Sequence, residues 1–360
     1  MKTSIILKWL LSNVALIIMM TGCSGQTKTS LKKEKINIYA SDTTAEKASS
    51  AEDPLFINEG QLCQHVRKIY QDSKGRLWFG TNVYDLMLYD GDSLRYLGKA
   101  EGFDGGRVTG IAEDGIGNLW FATYHGLQKY NGASFQLYNK ENGLSSDELW
   151  CLHIDKEETI WVGHNKGFSR FDGETFTNIV VPKADVIQPN IIYAEDRITA
   201  ITKDKEGHLW LGTDGYGLCK YDGKSYQHYT TKEGLPGNTI SELMIDSKSN
   251  IWVGTYWGGI SKYDGISFSN YTIERNLNGV EIAGLYEDTN GDIWFGAENQ
   301  GVYKYDGRIF KQYFKESGPK GSILNIYRDR ENRFWFGGWG GLFRYMDGAF
   351  RSVTKEGPWE

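Results

Sequence analysis

The chain has 360 residues, of which 40% are hydrophobic and 24% are charged, and its formal net charge is −6. This composition is ordinary for a soluble globular protein and excludes a chain that is too polar to form a core. The net negative charge argues against the basic surface that nucleic-acid binding requires, so we expect no nucleic-acid partner.

The first residues have the pattern of an export signal. An apolar run over 9–20 follows two lysines and is shorter than a membrane-spanning helix needs. The run leads into Met20–Cys23, and Gly22-Cys23 fits a bacterial lipobox, whereas Met20 and Thr21 depart from its preferred residues. This resemblance implies a lipoprotein signal peptide over 1–22 and lipidation of Cys23. The alternative is a plain secretory signal followed by a chance Cys.

The next segment, 23–54, is rich in Ser, Thr, Lys, Ala and Glu. Such a segment has little to bury and is predicted to be a disordered tether. A flexible chain of roughly 30 residues reaches on the order of 30 Å from its anchor. We therefore expect an exported bacterial lipoprotein whose lipid holds it to a membrane, on the periplasmic side or at the cell surface.

Apart from Cys23, the cysteines are Cys63, Cys151 and Cys219. Three is an odd number, so at least one is free or pairs outside the chain, and no disulfide framework is implied. No spacing of the cysteines resembles a metal site, so we predict neither a metal nor a cofactor.

One motif recurs seven times along the rest of the chain, at Trp78, Trp120, Trp161, Trp210, Trp252, Trp294 and Trp335. An Asp stands six residues before each of these tryptophans, and an aromatic-Asp-Gly sequence or a close relative follows each. In the fifth copy, Ile240–Ile245, Ile251–Thr255, Gly259–Tyr263 and Ser267–Tyr271 are predicted as strands A, B, C and D, respectively. Four short strands in about 42 residues favour a β-propeller over a solenoid or a sandwich.

The predicted fold class is therefore all-β, a seven-bladed β-propeller over 55–360 with four antiparallel strands per blade. The blades are expected at about 61–101, 102–142, 143–183, 184–233, 234–275, 276–317 and 318–356. The motif tryptophans are predicted to be structural and buried between blades, and the aspartates to close turns by accepting backbone N–H bonds. Because the copies run in phase from strand A to strand D, the ring could close without strand exchange, although Leu55–Cys63 could add a strand.

The repeat D-x-x-G-x-L-W-x-G-T, followed by G-L-x-x-Y-D-G and F-x-x-Y, resembles the two-component regulator propeller repeat from Gln61 to about Thr354. That family commonly forms the sensor region of bacterial hybrid histidine kinases, often recognises glycans, and also occurs in free-standing secreted proteins. We expect no kinase, receiver or DNA-binding segment after the repeats. The resemblance therefore implies a free-standing sensor-like binding module.

The loops of such a propeller lie on two faces. The A–B and C–D turns share one face and are uniform, whereas the B–C turns and the D-to-A crossings share the other, which we call the variable face. Binding residues usually lie on variable loops of a rigid scaffold. The B–C turns offer as candidates Tyr84, Tyr124, His125, His164, Tyr216, Tyr256, Trp257, Glu298, Asn299 and Trp339. The position just before strand A adds an inner ring, His65, Arg107, Glu148, Arg197, Thr239, Glu281 and Ser322.

Aromatic rings among carboxylates, amides and arginines suit a sugar, because rings cover its apolar face and polar groups bind its hydroxyls. The alternative is that these aromatics only cap the packing of the blades. The 49-residue spacing between Trp161 and Trp210 places an insertion around Val181–Glu195. That insertion is either a lid over the variable face or a plain surface loop.

Catalysis would need a partnered base, nucleophile or metal. His125 and His164 come from adjacent blades and could meet. The streptogramin-lyase family is similar, because it is a seven-bladed propeller that uses histidines and a glutamate. Its catalytic motif does not map onto this sequence residue by residue. Glu298 could supply the glutamate, but its blade is not adjacent to those of His125 and His164. We therefore predict no catalytic residue and favour a ligand-binding lipoprotein with a carbohydrate ligand. A protein-interaction scaffold in an envelope complex and a lyase-like enzyme are the alternatives.

Overall fold

A computed structural model describes residues 60–83, 86–271, 281–313 and 322–360. These residues all belong to the compact unit Ser50–Glu360. The predicted signal peptide, Cys23 and tether lie outside the described residues, as does Tyr84. Among the residues described, no helix is both long and apolar enough to cross a membrane.

The described chain forms twenty-eight strands in consecutive sets of four, which we number as blades in chain order. Blades one and two are β1 (Val66–Gln71), β2 (Leu77–Thr81), β3 (Leu86–Tyr89), β4 (Leu94–Leu97), and β5 (Val108–Glu113), β6 (Leu119–Thr123), β7 (Gly126–Tyr130), β8 (Phe135–Tyr138). Blades three and four are β9 (Leu149–Ile154), β10 (Ile160–His164), β11 (Lys166–Phe171), β12 (Phe176–Ile179), and β13 (Asp196–Lys203), β14 (Leu209–Thr213), β15 (Leu218–Tyr221), β16 (Tyr226–Tyr229).

The remaining strands continue the same order. Blade five is β17 (Ile240–Ile245), β18 (Ile251–Thr255), β19 (Gly259–Tyr263), β20 (Phe268–Asn270). Blade six is β21 (Ile282–Glu287), β22 (Ile293–Ala297), β23 (Gly301–Tyr305), β24 (Phe310–Tyr313), and blade seven is β25 (Ile323–Arg328), β26 (Phe334–Gly338), β27 (Gly341–Met346), β28 (Ala349–Ser352). Two 3₁₀ turns, Lys99–Glu101 and Lys140–Asn142, lie in the crossings after blades one and two.

The sheet topology confirms an all-β propeller with four-stranded antiparallel blades. Within the described residues there are five four-stranded sheets, each with its strands in chain order, and one eight-stranded sheet. The eight-stranded sheet consists of blades three and four, joined where Lys166 and Gly167 pair in parallel with Asp196 and Arg197. Antiparallel neighbours joined by tight turns explain why each motif copy is so short.

The core lies between neighbouring blades and contains the motif tryptophans, as predicted. Trp252 of blade five, for example, packs with Ile282 and Phe295 of blade six. Six of the seven motif indoles are at most 4% exposed, and only Trp161 is partly buried. Burial of such large apolar surfaces between blades supplies much of the stability of the fold.

Each motif Asp has a second role that the repeat pattern did not reveal. In blade five, Asp246 Oδ1 accepts the backbone N–H groups of Lys248 and Asn250, which closes the predicted turn. Its Oδ2 accepts the indole N–H of Trp252 at 2.9 Å. The same indole-to-carboxylate bond occurs in all seven copies at 2.7–2.9 Å. The Asp therefore satisfies the one polar group of the buried indole.

Blade seven packs directly against blade one. The backbone N–H of Ile69 donates to Asn325 Oδ1 at 2.9 Å, and Trp335 shares a buried cluster with Val66 and Phe79. All four strands of blade seven come from the C-terminal end of the chain, so no strand is exchanged in the described part. Of the segment predicted as a possible extra strand, Gln61 makes only an isolated bridge with Thr354.

The three described cysteines are free. Burial raises the pKa of each thiol, to about 12 for Cys63, Cys151 and Cys219 alike. All three are protonated at neutral pH, and Cys63 and Cys219 are buried whereas Cys151 is partly buried.

Candidate functional site

The two predicted rings of the variable face are tied to each other by backbone hydrogen bonds. In blade five, the N–H of Tyr256 in the B–C turn donates to the carbonyl of Thr239, just before strand A, at 2.9 Å. The corresponding bonds, at 2.9–3.2 Å, are Tyr124 to Arg107, Asp214 to Arg197, Glu298 to Glu281, and Trp339 to Ser322. Candidates that are far apart in sequence therefore lie side by side on one face.

Arginines and aromatic rings alternate across blades two to four in a stack that we call the arginine ladder. It consists of Tyr124, Arg107, Trp150, Arg197 and Tyr193. The Arg107 guanidinium carbon lies 4.2 Å from the Tyr124 ring centroid and 5.8 Å from that of Trp150. The Arg197 guanidinium carbon lies 4.4 Å from the Trp150 centroid and 4.3 Å from that of Tyr193. Stacking on ring faces stabilises both cations.

The C-terminal end of the insertion packs against the B–C turn of blade four on this face. The Asp214 carboxylate accepts the backbone N–H groups of Ile192, Tyr193 and Ala194 at 2.9, 2.8 and 3.2 Å. Asp214 Oδ2 also lies 3.1 Å from Arg197 Nε, and both side chains are fully buried. One buried carboxylate thus connects the insertion to the arginine ladder.

Three further charged or phenolic groups meet near the axis, from blades one, five and six. The Tyr256 hydroxyl donates to the Glu281 carboxylate. Burial raises the pKa of Glu281, an effect that the positive charge of Arg67 opposes. Burial and, secondly, the charge of Arg107 lower the pKa of Arg67. Two arginines therefore lie close enough on this face to repel each other.

His65 and Trp339 lie next to this group. Their rings meet edge to face with centroids 4.3 Å apart. Burial, followed by the charges of Arg67 and Arg107, lowers the pKa of His65 to about 4. This inner histidine is therefore neutral at physiological pH and contributes an uncharged ring to the site.

Two indoles of the B–C turns remain half exposed. Trp257 and Trp339 are each 48% exposed. Trp257 has a φ of 64°, a left-handed conformation that is strained for a bulky side chain. Its ring lies 5.8 Å from that of Tyr256. Asn299 is exposed with a φ of 56° in the following blade.

A pocket of about 380 Å³ opens between blades two and three. Its lining contains three predicted residues, Tyr124, His125 and Glu148, together with Asp104, Leu137, Asn139, Lys140, Ser146 and Asp147. His125 Nδ1 lies 2.9 Å from Asp104 Oδ1, and Lys140 Nζ lies 3.0 Å from Asp147 Oδ2. The pocket is polar. Asp104 and Asp147 have these basic partners, whereas Glu148 Oε2 accepts the side-chain N–H of Asn165.

The structure places His164 and Tyr216 away from solvent, which does not support them as surface binding residues. His164 is 0% exposed, and its Nε2 bonds to the hydroxyls of Ser169 and Ser145 at 2.7 and 3.2 Å. Burial lowers its pKa to about 4. The hypothesised meeting of His125 and His164 is also not observed, because His125 pairs with Asp104. Tyr216 is 8% exposed.

Three members of the site were missed by sequence reasoning, namely Arg67, Trp150 and Tyr193. Arg67 and Trp150 lie where the register between strands A and B shifts, at Val66/Lys68 and at Leu149/Cys151. A β-bulge turns a side chain out of the regular alternation, which places these residues on the variable face. The one available signal was that Trp150 does not belong to the repeating set of tryptophans.

On the opposite, uniform face, ligand atoms of Asp204, Glu206 and His208 lie within 4.8 Å of one another. Asp204 Oδ2 already accepts the indole N–H of Trp210 at 2.8 Å and lies 3.0 Å from His208 Nδ1. These contacts are those of the repeating turn and account for the cluster.

Five segments of the chain match the sequence profile described as "Two component regulator propeller", at 60–83, 102–125, 193–215, 234–257 and 317–340. The chain carries two component regulator propeller repeats. The resemblance drawn from the motif is thereby confirmed, and each matched segment ends at or near a B–C turn of the variable face.

Solved structures share the fold at low sequence identity. The extracellular domain assigned to a hybrid two component system of B. thetaiotaomicron is 22% identical with a TM-score of 0.65, and the match covers 79% of this chain and 40% of that one. A streptogramin B lyase is 13% identical with a TM-score of 0.62, covering 80% and 94%. PorZ, a surface component of the type-IX secretion system of Porphyromonas gingivalis, is 15% identical with a TM-score of 0.60, covering 80% and 47%. No curated protein matches the sequence.

Proposed function

We propose that this domain is a non-catalytic binding module that recognises a carbohydrate on its variable face. The observation that carries the proposal is Trp257, whose indole is 48% exposed although its backbone has a φ of 64°. Strain of this kind persists at binding sites because it presents a side chain that the ligand needs. Trp339 offers a second half-exposed indole on the same face, and sugars stack on such surfaces.

We further infer that the ring has seven blades. Each neighbouring pair of four-strand sets shares a hydrophobic cluster, including the pair formed by the last set and the first. The family profile matches five segments, fewer than the seven motif tryptophans.

The chain is proposed to be exported and lipidated at Cys23. The apolar run and the Gly22-Cys23 pair support lipidation, and two structures of the same fold come from an extracellular domain and a bacterial surface component. Metabolic labelling with a fatty-acid analogue tests this proposal. We expect labelling of the wild-type chain and none of Cys23→Ser, and labelling of both would contradict it.

The arrangement of the histidines favours a binding function over a catalytic one. The lyase alternative requires titratable groups that act together on one substrate. His164 is enclosed by its serine partners, and His125 is paired with Asp104 at the rim of the pocket. We therefore expect bound sugars to be recovered without chemical change.

A glycan array probed with the purified full chain tests the carbohydrate proposal. Trp257→Ala is expected to weaken a hit by roughly 10-fold, because an aromatic–sugar stack is lost. Ile266→Ala is the matched control, since Ile266 is 89% exposed in the C–D turn of the same blade, on the other face. If no sugar is retained and an envelope protein co-purifies through the variable face, the interaction-scaffold alternative replaces this proposal.

A further inference from the structure

Three arginines converge on the variable face of a chain whose net charge is −6. Arg107 and Arg197 lie on the Trp150 ring at 5.8 and 4.4 Å, and the charges of both Arg67 and Arg197 act on the Tyr256 hydroxyl. Like charges gathered in a partly buried site repel each other, which destabilises the folded state. Their presence therefore indicates a function in binding negative charge.

Arg197 is the most informative of the three. Its side chain is fully buried, and none of its guanidinium nitrogens Nε, Nη1 and Nη2 has a hydrogen-bond partner. The buried positive charge is stabilised by the ion pair between Nε and Asp214 and by the two flanking rings. Buried donors on a charged group are almost always satisfied, so Nη1 and Nη2 form a fork prepared for an acceptor.

The nearby carboxylates are already engaged elsewhere. Asp214 accepts three backbone N–H groups of the insertion, and Glu281 accepts the Tyr256 hydroxyl. Glu242 lies 4.0 Å from Lys68 and accepts the backbone N–H of Leu285 at 3.3 Å. Each of these acidic groups has its own donors, which leaves the Arg197 fork to an acceptor from outside the chain.

The insertion borders the fork. Tyr193 covers one side of the guanidinium and is itself 45% exposed, whereas Trp150 covers the other side from within the blade. Displacement of the Tyr193 ring would open Nη1 and Nη2 to the variable face without disturbing Trp150. A ligand ring could then take the place of the phenol against the guanidinium.

We propose that the variable face is selective for an acidic sugar, a uronate whose carboxylate binds the Arg197 fork once Tyr193 moves aside. Arg67 and Arg107 add positive charge around the same carboxylate. This inference rests on the carbohydrate function proposed above. It names the class of sugar, and a planar carboxylate is the group that a guanidinium fork matches.

The test uses oligosaccharides that contain glucuronate or galacturonate, each paired with its carboxyl-reduced neutral counterpart, in calorimetric titrations of the full chain. We expect the acidic member of at least one pair to bind about 10-fold or more tightly than the neutral member, as for a charge-assisted bidentate contact. Added NaCl is expected to reduce that preference only modestly, because buried ionic contacts are screened less than exposed ones.

Variants locate the effect. Arg197→Gln is expected to abolish the preference for the acidic sugar, and Arg67→Gln to reduce it. Arg351→Gln is the control, because Arg351 is 54% exposed on an outer strand and pairs with Asp347 at 3.3 Å. Thermal unfolding checks that each variant is folded. If Arg197→Gln does not fold, the test depends on Arg67→Gln alone. In that case, a preference for the acidic sugar that is unchanged in Arg67→Gln overturns the inference.

The outcomes separate the two proposals. Equal affinity for acidic and neutral members overturns the acidic-sugar inference and leaves the carbohydrate function standing. Absence of binding to any sugar overturns the carbohydrate function itself. Binding of poly-glutamate in place of uronates, with loss in Arg197→Gln, overturns the sugar class and assigns the fork to an acidic peptide.

Discussion

The indole of Trp359 stacks on the phenol ring of Tyr89, with ring centroids 4.2 Å apart and planes 13° apart. Tyr89 belongs to blade one, whereas Trp359 follows the last strand of blade seven. Arg333 Nη1 donates to the carbonyl of Trp359 at 2.9 Å, and the indole N–H donates to the Lys355 carbonyl at 3.1 Å. One aromatic pair therefore joins the two ends of the described chain.

Replacement of Trp359 by Ala should open this junction. The indole is only 8% exposed, so we expect the free energy of unfolding to fall by about 3–5 kcal/mol, the usual cost of truncating a buried Trp. Urea unfolding followed by circular dichroism measures the change. Trp257→Ala, at a half-exposed indole, should cost less than about 1 kcal/mol. Equal losses in the two variants would contradict this role.

The indole-to-carboxylate bond of the repeat can be measured in blade five. Asp246→Ala and Trp252→Phe, alone and together, form a double-mutant cycle. We expect a coupling energy of about 1–3 kcal/mol, because the single variants leave a buried polar group without its partner. Asp264→Ala is the control, since Asp264 accepts only the N–H groups of the exposed C–D turn. A coupling near zero would show that the bond contributes nothing.

His164 should make the protein sensitive to acid. Its pKa is about 4 in the folded chain and 6.5 in a model peptide, so the unfolded state binds its proton first as the pH falls. The stabilising effect is present above pH 6.5 and is lost as the pH drops toward 4. The loss from this group is up to about 3 kcal/mol.

His164→Gln tests that dependence by unfolding titrations between pH 7 and 4. We expect the variant to lose less stability over this range than the wild-type chain. Ile266→Ala, at an exposed residue that carries no titratable group, should follow the wild-type curve. If His164→Gln also follows that curve, burial of the imidazole does not govern the acid response.

Trp257→Gly should separate stability from binding. Glycine adopts a φ of 64° without strain, so the free energy of unfolding is expected to stay the same or rise by about 1 kcal/mol. Sugar binding should weaken, because the exposed indole is lost. Glycan titration measures the affinity and thermal unfolding measures the stability of the same preparation. A clear loss of stability in Trp257→Gly would contradict the interpretation that the Trp257 backbone is strained.

Asp214→Ala should release the insertion. Three backbone N–H groups, of Ile192, Tyr193 and Ala194, lose their acceptor in this variant. We expect the fastest rise in hydrogen exchange over 181–195, measured by mass spectrometry, together with a lower overall stability because buried Arg197 loses its ion pair. Asp185→Ala, which removes only the exposed ion pair with Lys232, is the control. Unchanged exchange over 181–195 would show that Asp214 does not hold the insertion.

The fold was predictable because its signal is repeated. An Asp, a Trp and an Asp-Gly turn recur at a nearly constant spacing, and each of these residues is dictated by local turn geometry or by burial. The positions of the two rings on the variable face followed from strand order alone. Backbone bonds such as that between Tyr256 and Thr239 show that this inference was sound.

The composition of the site was less predictable, because it depends on details that vary between blades. Arg67 and Trp150 occupy a β-bulge that recurs at the start of strand A in other blades, but the residue at that position differs from blade to blade. His164 was chosen as an exposed candidate, yet its side chain turns inward to Ser169, a residue of the neighbouring strand. Side-chain direction at a turn is decided by such three-dimensional partners.

The bonds that hold the B–C turns to the inner ring run between main-chain atoms. Exchange of the side chain at Tyr124, Glu298 or Trp339 leaves its N–H free to make the same bond. The blades that make this bond can therefore acquire a new chemical group at the rim with little penalty to folding. A ring assembled in this way is well suited to engineering, in which rim residues are randomised to obtain new receptors on an unchanged frame.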